Sequence, residues 1–183
     1  TSVTLLMLTA FVASGISQTA AVIKNSDPLT TVLPIKWSDF QKKTPNNKLA
    51  NKVKAALLNA NRFALTSWYH DVKKYQADST GYLDLKSKSK VNEYRYRFPA
   101  AMSFGLAISI KTAIYNPSAT GVPLQEAKEK TISMARSVAY DHKANGTRKV
   151  WGGDWQAAHW AYYTGYVGWL FWNDFSPKDQ SNI

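Results

Sequence analysis

"WGGDWQAAHWAYYTGYVGWLFW", residues 151–172, decides how this chain is read. It holds five of the seven tryptophans, three tyrosines, one histidine and four glycines. Its large residues recur at steps of three and four, which is the period of a helix and not of a strand. The spacing predicts a helix from about Asp154 to Phe175. Trp155, Ala158, Tyr162, Gly165, Trp169 and Trp172 form one stripe, expected to be the packing seam, with Gly165 permitting a close approach. Gln156, His159, Tyr163 and Tyr166 form a neighbouring stripe, and all four carry polar ends. A wet cleft suits such a face, because buried polar ends need partners. The plainer reading is a satisfied buried histidine beside tyrosines whose hydroxyls reach water.

"WGGD" opens this segment. Gly152 and Gly153 allow a tight backbone turn beside Trp151, and Asp154 is placed to cap the helix. Trp151 and Trp155 are candidate platforms for a sugar, since an indole face stacks on the apolar face of a pyranose ring.

Working outward, the same period continues upstream. Asn46 to about Tyr75 is helical in pattern, with Leu49, Val53, Leu57, Ala60, Ala64 and Trp68 as its expected buried stripe. Phe98 to Tyr115 reads as a second long helix, with Pro99 in its first turn and Phe104, Ala107, Ile108, Ala113 and Ile114 facing inward. "YNPSATGVP" ends it. Pro123 opens a third helix to about His142, with Ile132, Ala135, Val138 and Ala139 inward. "KANG" stops that one, with Gly146 as a left-handed cap. A short helix is expected from Ser38 to before Pro45. Residues 76–97 break the period and form a long connection in which "EYRYR" alternates and reads as extended. No segment after Ile23 reads as a strand. The class is all-α, and the short connections favour antiparallel helical hairpins. "SPKD", with Ser176 as N-cap and Pro177 at the first helical position, is a helix start. The expectation is therefore that the sequence is the N-terminal part of a longer protein.

The 183 residues suit one domain. The net charge is +11, and most of it falls between Lys36 and Arg97, where 14 basic side chains face five acidic ones. That balance points to a polyanionic partner or to a solvated basic surface. Cysteine is absent, which excludes disulfides and thiolate chemistry. Residues 1–23 carry no charge. The run "VTLLMLTAFVA" followed by the small residues of "SGISQTAA" reads as a signal peptide over 1–21. The run is shorter than the ~20 residues of a membrane span, so a secreted protein without a stable span is expected. "NGT" makes Asn145 a glycosylation sequon. His70, His142 and His159 lie far apart and fall in no metal-ligand pattern. Neither a metal nor a cofactor is expected.

The runs "NEYRYRFPAAMSFGLAISIKTAIYNPSATGVPLQEAKEKTISMARSVAYDHKANG" and "WGGDWQAAHWAYYTGYVGWLFWNDFSP" resemble the helical N-terminal part of secreted heparinase II/III-like proteins and related (α/α)-toroid polysaccharide lyases. The resemblance covers about Gly81 to Pro177 and is one of helical rhythm, not of a catalytic signature. It implies part of an incomplete (α/α) toroid over 46–183, preceded by an extended leader and short helix over 22–45. It also implies a cleft and an acidic polysaccharide substrate cut by β-elimination. In such lyases a polar or cationic group neutralises the uronate carboxylate, and Tyr or His moves the protons. Those residue types occur here as Gln156, His159 and Tyr163, the candidate catalytic group. Glu93, Arg95 and Arg97, together with Trp151, Trp155 and Tyr166, are the candidate substrate contacts. "WYHD", 68–71, is a third place with such groups, read as a local cap and surface pair.

Three alternatives stand beside a lyase. A glycoside hydrolase on the same toroid needs two carboxylates flanking the bond. Asp154 reads as a cap, and Asp174 lies about five turns away. A non-catalytic binder of acidic polysaccharide needs only the groove. A nucleic-acid protein is suggested by charge alone and lacks any recognisable reading motif.

Overall fold

The computed structural model describes residues 35–42, 45–73, 81–85, 91–146 and 150–183. The expected signal peptide, the leader up to residue 34, residues 74–80 and 86–90 of the long connection, and Thr147 of the sequon lie outside the described residues. Among the described residues the chain is mostly helical and has no strand. An isolated parallel bridge pairs His142 with Trp151.

Helix α1 is Trp37–Lys42, pinned to the end of a later helix where Gln41 Nε2 donates to the Lys111 carbonyl at 3.3 Å. Helix α2 is Lys48–Phe63, and its N-cap Asn47 accepts from the Ala50 amide at 2.9 Å. It runs into a π-turn, Ala64–Trp68, where the Tyr69 amide reaches back five residues to Ala64. Helix α3 follows, Tyr69–Lys73. The expected stripe of α2 is corrected at its N-terminal half. Leu49 and Val53 are 73% and 60% exposed, and Ala60 is also exposed. The buried positions begin at Asn61 and continue at Ala64 and Leu65, with Leu57 half-buried beside Gly105.

Helix α4 is Asn92–Lys111. It begins about two turns before the expected start, so Pro99 lies inside it and "EYRYR" is helical, not extended. Tertiary contact overrides the local alternation: Tyr96 is fully buried, and Asn92 Nδ2 donates to the Val150 carbonyl at 3.2 Å and to Asp154 Oδ1 at 3.0 Å. The helix stops at Lys111. Ala113, expected to be buried, takes φ 57° in the turn that follows and is exposed.

Helix α5 is the single turn Pro117–Thr120, closed by Gly121 at φ 75°. Helix α6 is Leu124–Tyr140, and Ala135, Val138 and Ala139 are buried as the spacing predicts. A 3-10 turn, Lys143–Asn145, ends at Gly146 with φ 70°. Gly146 therefore takes the left-handed conformation one element later than expected. Helix α7 is Ala157–Leu170, shorter at both ends than predicted, and a 3-10 turn Trp172–Asp174 follows. Helix α8 is Pro177–Asn182, with Ser176 Oγ accepting from the Asp179 amide at 3.2 Å. The helix start read from "SPKD" is present.

The directions of the long helices follow from their contacts. Tyr96, near the start of α4, bonds Asp141 just past the end of α6 at 2.8 Å, so these two run antiparallel. Lys128, near the start of α6, pairs with Asp174 beyond α7 at 2.7 Å, so α6 and α7 are antiparallel too. Helices α4 and α7 thus run in the same direction, and their aromatic contacts agree. Tyr96 faces Trp160 at 5.9 Å, and further along Phe104 faces Tyr163 at 5.5 Å.

Two apolar clusters fill the interior. The first centres on Leu65, Leu85, Tyr96, Met134, Trp151 and Trp160. The second joins Ala107 and Ala135 to Val167, Leu170, Phe171 and Phe175.

Candidate functional site: an aromatic face on α7

The seam of α7 is rotated from the one expected. Ala157, Trp160, Thr164, Val167 and Gly168 are the buried positions. Trp155 is 89% exposed and Tyr162 51%, Ala158 is exposed, and a Cβ at Gly165 would meet nothing. Trp169 and Trp172 are half-buried. The physical reason is the partner helices. Trp160 is the ring that Tyr96 and Trp151 close over, at 5.9 and 5.5 Å, and that contact fixes the rotation of α7.

The exposed stripe that results is Trp155, His159, Tyr162 and Tyr166. It draws members from both predicted stripes. Behind it stands Phe104 of α4, with Tyr162, Tyr163 and Tyr166 around its ring at 6.2, 5.5 and 5.7 Å. Tyr162 and Tyr166 lie 4.6 Å apart, and Trp169 meets Tyr166 edge-on at 6.0 Å. The half-buried Tyr163 lies against Phe104 with its ring tilted by only 29°. The Tyr162 phenol is pushed up from its ordinary pKa, first by the charge that Tyr166 would carry, with burial and a hydrogen bond to Tyr166 adding to it. It is a protonated donor at neutral pH, not a base. Gln156 caps α7 through its backbone, whose carbonyl accepts from the His159 amide at 3.0 Å, and its side chain makes no cap bond.

The basic candidates of α4 separate. Arg97 pairs with Glu93 one turn earlier, and its buried Nε has no hydrogen-bond partner. Seven residues separate Arg97 from Phe104, so both lie on one side of α4. Arg95 turns elsewhere and donates to Asn92 Oδ1 at 3.3 Å. The two arginines do not share a face, as they would on a strand. Glu93 and Arg97 therefore share one face of α4, and Arg95 lies off it.

Trp151 is a core residue. It is buried, its indole N–H donates to the Val138 carbonyl at 2.8 Å, and His142 meets it edge-on at 4.4 Å. It presents no face to solvent, and of the two candidate platforms only Trp155 is exposed. Gly152 is required here: φ is 135°, and a Cβ would lie 2.8 Å from His142 Nε2. Burial, aided by the charge of Lys143, lowers the His142 pKa. The Asp154 carboxylate does not cap α7. It accepts from Asn92 and, at 3.3 Å, from the Gly152 amide, tying the loop to α4.

Two features escaped the sequence reading. At the π-turn a cleft of about 610 Å³ opens between Thr66, Ser67, His70 and Asp71 on one wall and Glu126 and Lys130 on the other. Lys130 Nζ donates to the Leu65 carbonyl at 3.0 Å and pairs with Glu126 at 2.7 Å. "WYHD" was the signal for it. The other is Asn145, whose Nδ2 donates to the carbonyls of Ala139 and Asn182 at 2.6 and 2.7 Å. An N-glycan bonds to that same nitrogen and leaves it one hydrogen, so a glycosylated Asn145 cannot make both bonds. Among the described residues no three His, Asp or Glu converge as metal ligands, and no helix is long and apolar enough to cross a membrane.

Comparison of the chain with protein-family models, with curated proteins and with solved structures yields no match.

Proposed function

We propose that this chain is the helical part of a secreted carbohydrate-active protein of the (α/α)-toroid type, and that α7 holds an acidic glycan. The observation that carries the reading is the exposed row Trp155, His159, Tyr162 and Tyr166, backed by Phe104. Rings kept at a surface cost solvation unless something flat covers them. A pyranose offers such a face, and phenol and imidazole edges can bond its hydroxyls. From His159 to Tyr166 the row runs roughly 10 Å along α7 at the helical rise, and Trp155 stands just before the helix begins. The +11 charge of the chain favours a polyanion over a neutral glycan, and Arg97 supplies a guanidinium that can take a carboxylate through paired bonds. The antiparallel packing of α4 on α6 and of α6 on α7 supports the toroid.

In the lyase form of this reading the carboxylate of a uronate is neutralised by Arg97 and Gln156. His159 removes the C5 proton, the C–O bond at C4 breaks, and Tyr163 protonates the departing oxygen. His159 is a better base than Tyr162, whose neighbours Tyr166 and Tyr163 push its phenol pKa up. The hydrolase form has less support on this face. Asp154 is bonded to Asn92, and Asp174 to Lys128.

The test is full-length protein mixed with uronate polymers, with binding followed by calorimetry and cleavage by the absorbance of the unsaturated product. Binding with product supports the lyase. Binding without product supports the binder. No binding to any uronate polymer rejects the proposal.

A further inference from the structure

Asn145 ends the 3-10 turn after α6, and its side-chain amide has two hydrogens and two acceptors. One acceptor, Ala139, belongs to the last turn of α6. The other, Asn182, belongs to the last turn of α8. One amide thus holds the end of α8 to the end of α6. The seat is tight: next to Asn182, Ile183 packs so closely on α7 that a Cβ at Gly168 would collide with its Cγ2. The residue after Asn145 is Gly146, at φ 70° with nothing within 4 Å of where a Cβ would stand. Asn145 is the only asparagine of the chain followed by glycine. That pair is the one in which a backbone nitrogen most readily attacks the preceding side-chain carbonyl, because no Cβ blocks the approach.

We propose that Asn145–Gly146 is a deamidation site, and that its conversion releases the last turn of α8 irreversibly. The Gly146 nitrogen gives up its proton and bonds to Asn145 Cγ. The Cγ–Nδ2 bond breaks and ammonia leaves with that proton, which closes a five-membered succinimide. Water then adds to either ring carbonyl and opens the ring to aspartate or isoaspartate. Water is the only co-reactant, and nothing is oxidised or reduced.

In the closed structure both reacting groups are restrained. Nδ2 is held by two carbonyls, and the Gly146 N–H points to the Lys143 carbonyl at 3.4 Å. The reaction therefore waits on local opening of the α8 end, a motion whose free energy is well below that of global unfolding. Once formed, the carboxylate sets acceptor oxygens against the two carbonyl oxygens that the amide bonded. The donor pair is lost and replaced by repulsion, so the turn does not reclose. The other end of α8 keeps its own anchors, where Asp179 accepts from Tyr82 and from Ser176, both at 2.7 Å. The release is centred on Asn182 and Ile183 and on the Gly168 seat on α7.

The experiment ages the full chain at mildly alkaline pH and maps amide-to-acid conversion by peptide mass spectrometry, with hydrogen exchange on the fractions separated by charge. Asn145 should convert ahead of every other asparagine in the native protein, and faster still in denaturant. In the converted fraction, exchange at Asn182, Ile183 and the facing residues of α7 should rise by about tenfold or more, while Asp179 stays protected. Asn145→Asp should reproduce that exchange pattern. If this variant does not fold, the aged wild-type fractions make the same comparison. Asn145 left intact while other asparagines convert, or a converted fraction with unchanged exchange at the end of α8, overturns the proposal.

Discussion

The Tyr96 hydroxyl donates to the Asp141 carboxylate across 2.8 Å, and both residues are buried. This bond joins the start of α4 to the end of α6, and the Asp141 carbonyl in turn accepts from the Val150 amide at 2.9 Å. One residue therefore fixes the angle at which the loop into α7 leaves the core. A carboxylate taken out of water depends on the donors around it. Tyr96→Phe keeps the ring and removes one of them. The expected cost is about 2–3 kcal/mol, the range for a hydrogen bond to a charged group. Thermal unfolding measures it. A loss under about 0.5 kcal/mol would mean that the carboxylate does not depend on this hydroxyl.

The rotation of α7 makes a second prediction, from tryptophans only five residues apart. Trp160 is fully buried between Tyr96 and Trp151, whereas Trp155 is almost fully exposed. Trp160→Ala should destabilise by about 3–5 kcal/mol, the cost of deleting a large core ring. Trp155→Ala should stay within about 0.5 kcal/mol of wild type. Denaturant melts of the two variants settle the register. Equal losses would restore the seam predicted from spacing.

How much of this was legible in the sequence depends on what set each feature. The helix over 157–170 was plain, because period depends only on local spacing. Its rotation was not, because α7 is aromatic on nearly all sides. Trp155, Trp160 and Tyr162 look alike in a sequence, and only Tyr96 and Trp151 reaching in from elsewhere choose Trp160. The glycines at 146 and 152 were readable, since a positive φ leaves few other residues. "EYRYR" misled for the opposite reason. Its alternation is genuine, but the long-range bonds of Asn92 and Tyr96 hold it as helix. Of the candidate site, Tyr163 and Tyr166 come together around Phe104 of α4, and Glu93 comes together with Arg97 within α4. Trp151 and Arg95 do not, because burial and side-chain direction are tertiary outcomes. The π-turn cleft needed Lys130 to arrive from α6.

Tyr82 supplies a prediction about alkali. Its pKa is pushed up to about 12, mainly by burial and then by its hydrogen bond to Asp179. A phenol of ordinary pKa, about 10, binds its proton more tightly in the folded state than in the unfolded one. The stabilisation is therefore complete below pH ~10 and is lost as pH rises from there through ~12. It amounts to on the order of 2 kcal/mol. Tyr82→Phe should lower stability at neutral pH and flatten its decline over that window. Urea titrations across the alkaline range compare the two proteins. A wild-type curve as flat as that of the variant would show that Tyr82 is not the group responsible.

The aromatic face yields the prediction that bears most on function. Tyr162 and Tyr166 are exposed and touch mainly each other, Phe104 and their ring neighbours on α7. Their truncation should barely affect the core. Tyr162→Ala should stay within about 1 kcal/mol of wild-type stability while affinity for a uronate polymer falls by roughly tenfold, as when a contact worth about 1.4 kcal/mol is lost. Arg97→Gln should weaken the uronate polymer and leave a neutral glycan of the same length unaffected, because only the former carries the carboxylate. If the protein cleaves, Tyr163→Phe and His159→Ala separate chemistry from binding. His159→Ala should lower turnover by a factor on the order of 100 or more, well beyond the loss of affinity from its imidazole edge, and should keep its stability, since His159 is exposed. Tyr163→Phe keeps its stack on Phe104 and removes only the oxygen that would protonate the leaving group, so it should slow turnover to a similar extent. Calorimetric affinity and initial rate on the same preparations distinguish the cases. Unchanged affinity in Tyr162→Ala and Arg97→Gln together would remove the glycan from α7, whatever the rates of the other two variants.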